Sequence, residues 1–299
     1  MRSFTSRSRR LAFTGLAIAA LLAIGAAGGQ AADPFVAGGR STRALTAPAD
    51  HLARAESRGR SLIAALGITA TTHRATRLDD RFEHRIVDEV TSLDGRGREV
   101  ALSRFELDGT VAMAVALGWQ SRGGRALAGP DAAAKATGFA RAAGFTGLGQ
   151  PDVRASAGAG GWSAAWPRMV DGVAVNGDGL RILLWSDGTF HGLTRTERPL
   201  AAAPVARLAR ADATGAAERF VAGRMPGSAA GLRVASVEQA WIAPNDMFDP
   251  AAPDAPAETL RLAWIVRFES HGTLAERLRG VEVWIDAGDG RILGGDAAT

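Results

Sequence analysis

Cysteine and tyrosine are absent from the 299 residues, and lysine occurs once, at Lys135. Without cysteine there can be no disulfide, no thiolate metal site, no cysteine nucleophile and no lipid on an N-terminal cysteine. Packing alone must hold the fold, and seven tryptophans and eleven phenylalanines supply the large aromatic surfaces for it. An excess of charge is also missing once the first residues are set apart. Arg2, Arg7, Arg9 and Arg10 precede the apolar run "LAFTGLAIAALLAIGAAGG", and small residues follow around Gly29 to Ala32. That order reads as a secretory signal over residues 1–31, its glycine-broken core and mixed continuation arguing against a retained anchor. The Arg9-Arg10 pair leaves both general and twin-arginine export open. Removing those four arginines takes 35 basic residues to 31, against 31 acidic ones. The remainder is neutral, which excludes nucleic acid as an expected partner, and the cleavable signal implies an extracytoplasmic protein with no stable membrane span after cleavage.

Residues 32–44 read as a flexible leader. Beyond them, three segments have helical periodicity with end signals. Leu52, Ala55, Leu62, Ile63 and Leu66 share a face between Pro48 and Gly67; Ala132, Ala136, Phe139, Ala140 and Ala143 do so between Pro130 and Gly144; Ala213, Ala216, Ala217, Phe220 and Val221 do so before Pro226. Period-2 sequence follows each helix. In "VAMAVALGW", Val111, Met113, Val115, Leu117 and Trp119 alternate with small residues, as in a strand with one heavily apolar face. Asp-Gly accepts the positive φ of tight hairpin turns, so "ELDGTV", "WSDGTF" and "AGDGRI", with Asp108, Asp187 and Asp289, should join antiparallel strands.

The helix starts recur about every 80 residues, and the spacings of Asp108, Asp187 and Asp289, 79 and 102 residues, match this once the proline-rich insertion 243–258 is allowed for. The expected fold class is therefore α+β: about three tandem units, each one helix packed on an antiparallel β-sheet, at 45–127, 128–205 and 206–299. The stretch "WSAAWPRMVDGVAVNGDGLRILLWSDGTFHGL" resembles PepSY-type domains and the related propeptide (FTP-like) domain of thermolysin-like and fungalysin-like peptidases. "LAWIVRFES" through "VEVWIDAGDGRILGG" is similar to the same family's ending. These two matches cover about half the chain, in the units 128–205 and 206–299; the unit 45–127 is the divergent one.

Chemistry is sparse along the chain. The five histidines, His51, His73, His84, His191 and His271, form no H-E-x-x-H pair. "FEHR" at 82–85 sets Glu83 and His84 on opposite faces of an extended strand, so a surface histidine is expected. Neither "GGWSAAW" nor "PGSAAG" is a nucleophile elbow. "VNGDGL" lacks the third glycine and following helix of a phosphate site, and a hairpin turn explains it. Asp246, Asp249, Asp254 and Glu258 in the insertion carry oxygen ligands of the kind calcium uses, but in no calcium-loop spacing. Trp119, Trp162, Trp166, Trp185, Trp241, Trp264 and Trp284 read as interior packing rather than a ligand groove. No catalytic, cofactor-binding or metal residue is therefore assigned, and no cofactor is expected.

The resemblance implies a secreted, non-catalytic binding or regulatory protein. It would restrain or chaperone another extracytoplasmic protein, a peptidase foremost, through an exposed strand edge that pairs with the partner's chain. The alternative is an extracytoplasmic hydrolase whose carboxylates come together only in the fold.

Overall fold

The computed structural model describes residues 42–80, 85–117, 124–156, 161–204, 207–245, 259–276 and 278–298. The signal segment 1–31, most of the leader and insertion, and the residues Trp119, Glu83 and His84 lie outside them. In chain order the elements are β1 (Thr42–Leu45), α1 (Ala49–Ala65), β2 (Thr72–Asp80), β3 (Arg85–Leu93), β4 (Glu99–Phe105), β5 (Val111–Ala116), α2 (Gly129–Ala142), β6 (Asp152–Ser156), β7 (Gly161–Val170), β8 (Val173–Trp185), β9 (Phe190–Thr196), α3 (Arg210–Arg224), β10 (Leu232–Ile242), β11 (Arg261–Ser270), β12 (Gly280–Asp286) and β13 (Ile292–Ala298).

The expected tandem α+β units, each a helix on its own sheet, are overturned. All thirteen strands form one sheet in the order β1-β2-β3-β4-β5-β9-β8-β10-β11-β12-β13, with β7 on β8 and β6 on β7. The sheet is mixed, because β10 runs parallel to β8 where Ala240 faces Ala174. Only three α-helices accompany it among the described residues. The chain divides into two compact units, 1–166 with 180–195, and 167–179 with 196–299. Strand pairing across long sequence separations, such as Met113 with Thr194, joins what periodicity alone presents as separate repeats.

In the first unit, α1 and α2 share one core with the sheet, in which Ala55, Leu62, Ile63, Ala132, Ala136 and Ala140 meet Val90, Phe105, Ile182 and Phe190. The small helix residues bring the layers close. A Cβ on Gly59 would stand 2.6 Å from Val90 Cγ1, so this mid-helix glycine is a contact point rather than a break. Pro130 opens α2 and Gly144, at φ 91°, follows its last turn, as the end signals indicate. The apolar face of "VAMAVALGW" is divided between two clusters. Val111, Ala114 and Ala116 join the helical core, whereas Met113, Val115 and Leu117 cluster with Leu102. Strand alternation places that second cluster on the opposite face.

In the second unit, Ala213, Ala217 and Val221 of α3 pack on Val266, Phe268, Val281, Val283 and Ile285. A further cluster gathers Val175, Trp241, Leu260 and Leu262. Trp166 and Trp241 are buried, and Trp264 anchors its indole N–H on the Leu208 carbonyl at 2.9 Å.

The three Asp-Gly hairpins form as their residues dictate. Thr110, Thr189 and Arg291 donate backbone N–H groups to the side chains of Asp108, Asp187 and Asp289 at 2.8, 2.9 and 3.1 Å. Asp171 and Gly172, at φ 51° and 77°, make the two-residue turn between β7 and β8. "VNGDGL" differs from the expected hairpin: it lies inside β8, with Gly177 at φ 80° and Gly179 at φ 122° interrupting the strand without ending it. Residues 42–44 of the segment read as leader are not a free tail but part of a sheet edge, with Thr42 opposite Asp80 and Leu45 opposite Arg77.

Candidate functional site

The strands β6, β7 and β8 carry a short pattern with a spatial consequence. Val153 of β6, Trp162, Ala164 and Trp166 of β7, and Leu180, Ile182 and Leu184 of β8 all belong to the helical core of the first unit. Alternation then sends Asp152, Arg154, Ser163, Ala165 and Arg181 to the other face. In register, Asp152 stands opposite Ala165 and Arg154 opposite Ser163. Two small residues on the middle strand between long ones on its neighbours leave a groove. It is a shallow concavity of about 210 Å³ lined by those five side chains, all within the first unit.

Its electrostatics are uneven. Arg154 and Asp152 approach at 2.6 Å with 79% and 53% of their side chains exposed, a solvent-screened pair of small net value. Arg181 makes no hydrogen bond or ion pair among the described residues. Burial lowers its pKa, and the charge of Arg154 lowers it further, yet a guanidinium remains protonated. Other partly buried arginines of the sheet face carboxylates: Arg77 with Asp88 at 2.8 Å, Arg104 with Asp80 and Glu89 at 2.8 Å, and Arg261 with Asp286 at 2.7 Å. Arg181 is thus a half-desolvated cation facing an open groove, an arrangement suited to receiving an anion.

Beside the groove lies an unpaired border of the sheet. Among the described residues β6 pairs with β7 alone, so one row of its backbone groups has no neighbouring strand there. The border formed by β13 is different. Asn245 donates its amide to Gly295 O at 2.8 Å and accepts from Gly295 N–H at 3.1 Å, while its own N–H meets Leu293 O at 3.0 Å. The side chain of Asn245 therefore stands in for a strand there.

The residues singled out along the chain are not brought together. His51 and His271 are exposed, on α1 and after β11. His73 Nδ1 lies 3.0 Å from the Ser92 hydroxyl, and burial, with Arg60, holds its pKa below the ordinary value. His191 is buried against Trp185, ring centroids 4.2 Å apart, and burial pushes it down to about 4. His84 and the insertion acids Asp246, Asp249, Asp254 and Glu258 lie outside the described residues. No group of three or more metal-ligating side chains is found among those described. Ser163 sits mid-strand on β7 and Ser228 in a turn, neither at a strand-to-helix elbow.

Asp178, between the two glycines of β8, has a buried role. Its carboxylate accepts from Arg198 Nε and the Arg198 N–H, each at 2.7 Å, with Arg168 Nη1 at 3.4 Å. Arg168 and Arg198 also donate to the carbonyls of Arg198 and Asn176, at 2.8 and 2.7 Å. Asp286 shows related turn chemistry. Burial alone would raise its pKa, but the N–H groups of Gly288 and Asp289 and the Arg261 guanidinium outweigh it and hold the carboxyl low.

Sequence reasoning passed over Arg154 and Arg181. The available signal was "DVRAS" and "LRILLW", each with arginine at the position alternating away from the core, but only strand order reveals that they flank one groove.

No family model matches the chain, and no curated protein matches it in sequence. Among solved structures it is similar to the Bacillus megaterium YpeB C-terminal domain, with a TM-score of 0.51 and 12% identity over 86% of this chain and 99% of that one. At this identity the likeness is one of fold. No described helix is long and apolar enough to cross a membrane.

Proposed function

We propose that this is an extracytoplasmic, non-catalytic binding protein of PepSY-like fold that regulates another protein by docking it along β6. The observation that carries the reading is the free border of β6 beside a groove of unpaired cationic character. Edge addition supplies backbone hydrogen bonds without special side chains, which suits a chain poor in clustered reactive groups. The fold shared with the YpeB C-terminal domain is consistent with a regulatory role. The groove joins two guanidinium groups and one carboxylate, a set that holds anions and does not resemble the facing carboxylates of a hydrolase. The signal-like residues 1–31 support export, and the likeness of 162–193 to peptidase propeptides makes an envelope peptidase the first partner to test.

The test is immobilised protein exposed to envelope extract, with retained proteins identified and re-titrated in pure form, alongside assays of the protein itself on peptide, ester and glycoside substrates. Saturable binding of one retained protein, with a change in that protein's activity and no turnover by this chain, is the expected result. Turnover by this chain alone, or no saturable binding, contradicts the reading.

A further inference from the structure

We infer that the groove between Arg154 and Arg181 takes a side-chain carboxylate from an extended acidic segment of the partner, paired as an added strand on β6. This rests on the docking reading above and narrows its partner to one chemistry. A chain adding to β6 would run about 4.8 Å beyond it, with alternate side chains on the groove face. An acidic side chain there meets Arg154 at the rim, and contact with Arg181, on the third strand in, requires that guanidinium to extend across β7 toward β6. The floor of Ser163 and Ala165 leaves the way open to Arg181, because neither residue is long enough to fill the space.

Charge decides the occupant. Arg181 is half-buried beside a second guanidinium with no carboxylate partner among the described residues, so its positive charge is disfavoured where it stands, and both causes act in the same direction. An incoming carboxylate relieves both. Arg154 has Asp152 within 2.6 Å, but that pair is exposed, and the ligand needs only to share the Arg154 fork. A basic or neutral segment offers Arg181 nothing. The charges of β6 also protect a free border against promiscuous pairing, and an acidic partner turns the same protection into selection.

The test is fluorescence polarisation of labelled nine-residue peptides on the purified full chain: one alternating Val and Glu, one alternating Val and Gln, and each of the two N-methylated at alternate amides. The Val–Glu peptide should bind about 10-fold more tightly than Val–Gln, matching one charge-assisted bidentate contact in a partly desolvated site. Arg181→Gln should shrink that preference to within about twofold, and Arg154→Gln should reduce it partly. Asp152→Asn should strengthen Val–Glu binding, a gain that a misfolded variant cannot imitate. N-methylation should abolish binding.

Equal binding of Val–Glu and Val–Gln, both lost on N-methylation, would overturn the carboxylate inference and leave edge docking standing. A charge preference that survives N-methylation would overturn docking on β6, and with it the placement proposed here. No binding of either peptide, or an undiminished preference in Arg181→Gln, overturns the inference outright.

Discussion

Replacing Asp178 with alanine is expected to lower the unfolding free energy by about 3 kcal/mol, the low end for breaking a buried ion pair. Its side chain has no exposed surface, while Arg168 and Arg198 each keep 24%. Deleting the carboxylate leaves two neighbouring guanidinium groups without their shared counter-charge and the Arg198 N–H without its acceptor. Their access to solvent limits the cost, which places the effect at the low end. Asp178→Asn keeps the shape and one acceptor, so about 1.5–2 kcal/mol is expected. Urea unfolding with fitted slopes measures both, and an alanine effect below about 1 kcal/mol contradicts this role. Gly177 and Gly179 serve the same contact. Their positive φ values break the strand's alternation on either side of Asp178, so the Asn-Gly-Asp-Gly run places a buried carboxylate instead of reversing the chain.

Acid should destabilise the protein through His191. Its ring is buried against Trp185 and its pKa falls from 6.5 to about 4 because burial disfavours the cation. The unfolded chain therefore binds the proton more readily than the folded one. The contribution is fully present above the unfolded value, declines as pH falls below about 6.5 and is gone by about 4. Across that window the difference corresponds to about 3 kcal/mol. His191→Phe retains an aromatic ring on Trp185 and removes the titration. Stability curves for the two proteins should converge or cross toward pH 4 by that amount relative to pH 7; parallel curves contradict a buried neutral His191. Carboxylates titrating in the same range act on both proteins and cancel in the difference.

Much of the local structure was legible because its causes are local. Alanine faces bounded by Pro130 and Gly144, or ending before Pro226, mark α2 and α3. Asp108, Asp187 and Asp289 each accept a backbone N–H two residues on, which is why Asp-Gly predicts a hairpin. Sheet continuity was not legible. The pairing of Ala240 with Ala174, or Met113 with Thr194, leaves no trace in the periodicity of either strand. The apolar face of β5 was visible, but the register irregularity between Val111 and Met113, which sends Val111 to the helical core and Met113, Val115 and Leu117 to Leu102, shows only in the strand pairing. The groove escaped for the same reason. Arg181 is an ordinary alternating residue until Ser163 and Ala165 stand beside it, and β6 is an ordinary short strand until it proves to have one neighbour among the described residues.

The docking of a partner on β6 is tested most directly by amide hydrogen exchange of the protein alone and saturated with the partner retained from envelope extract. Slower exchange concentrated at Asp152–Ser156, with the exposed face of α1 unchanged, is the predicted result. Unaltered exchange across β6 with protection elsewhere on the surface would contradict it.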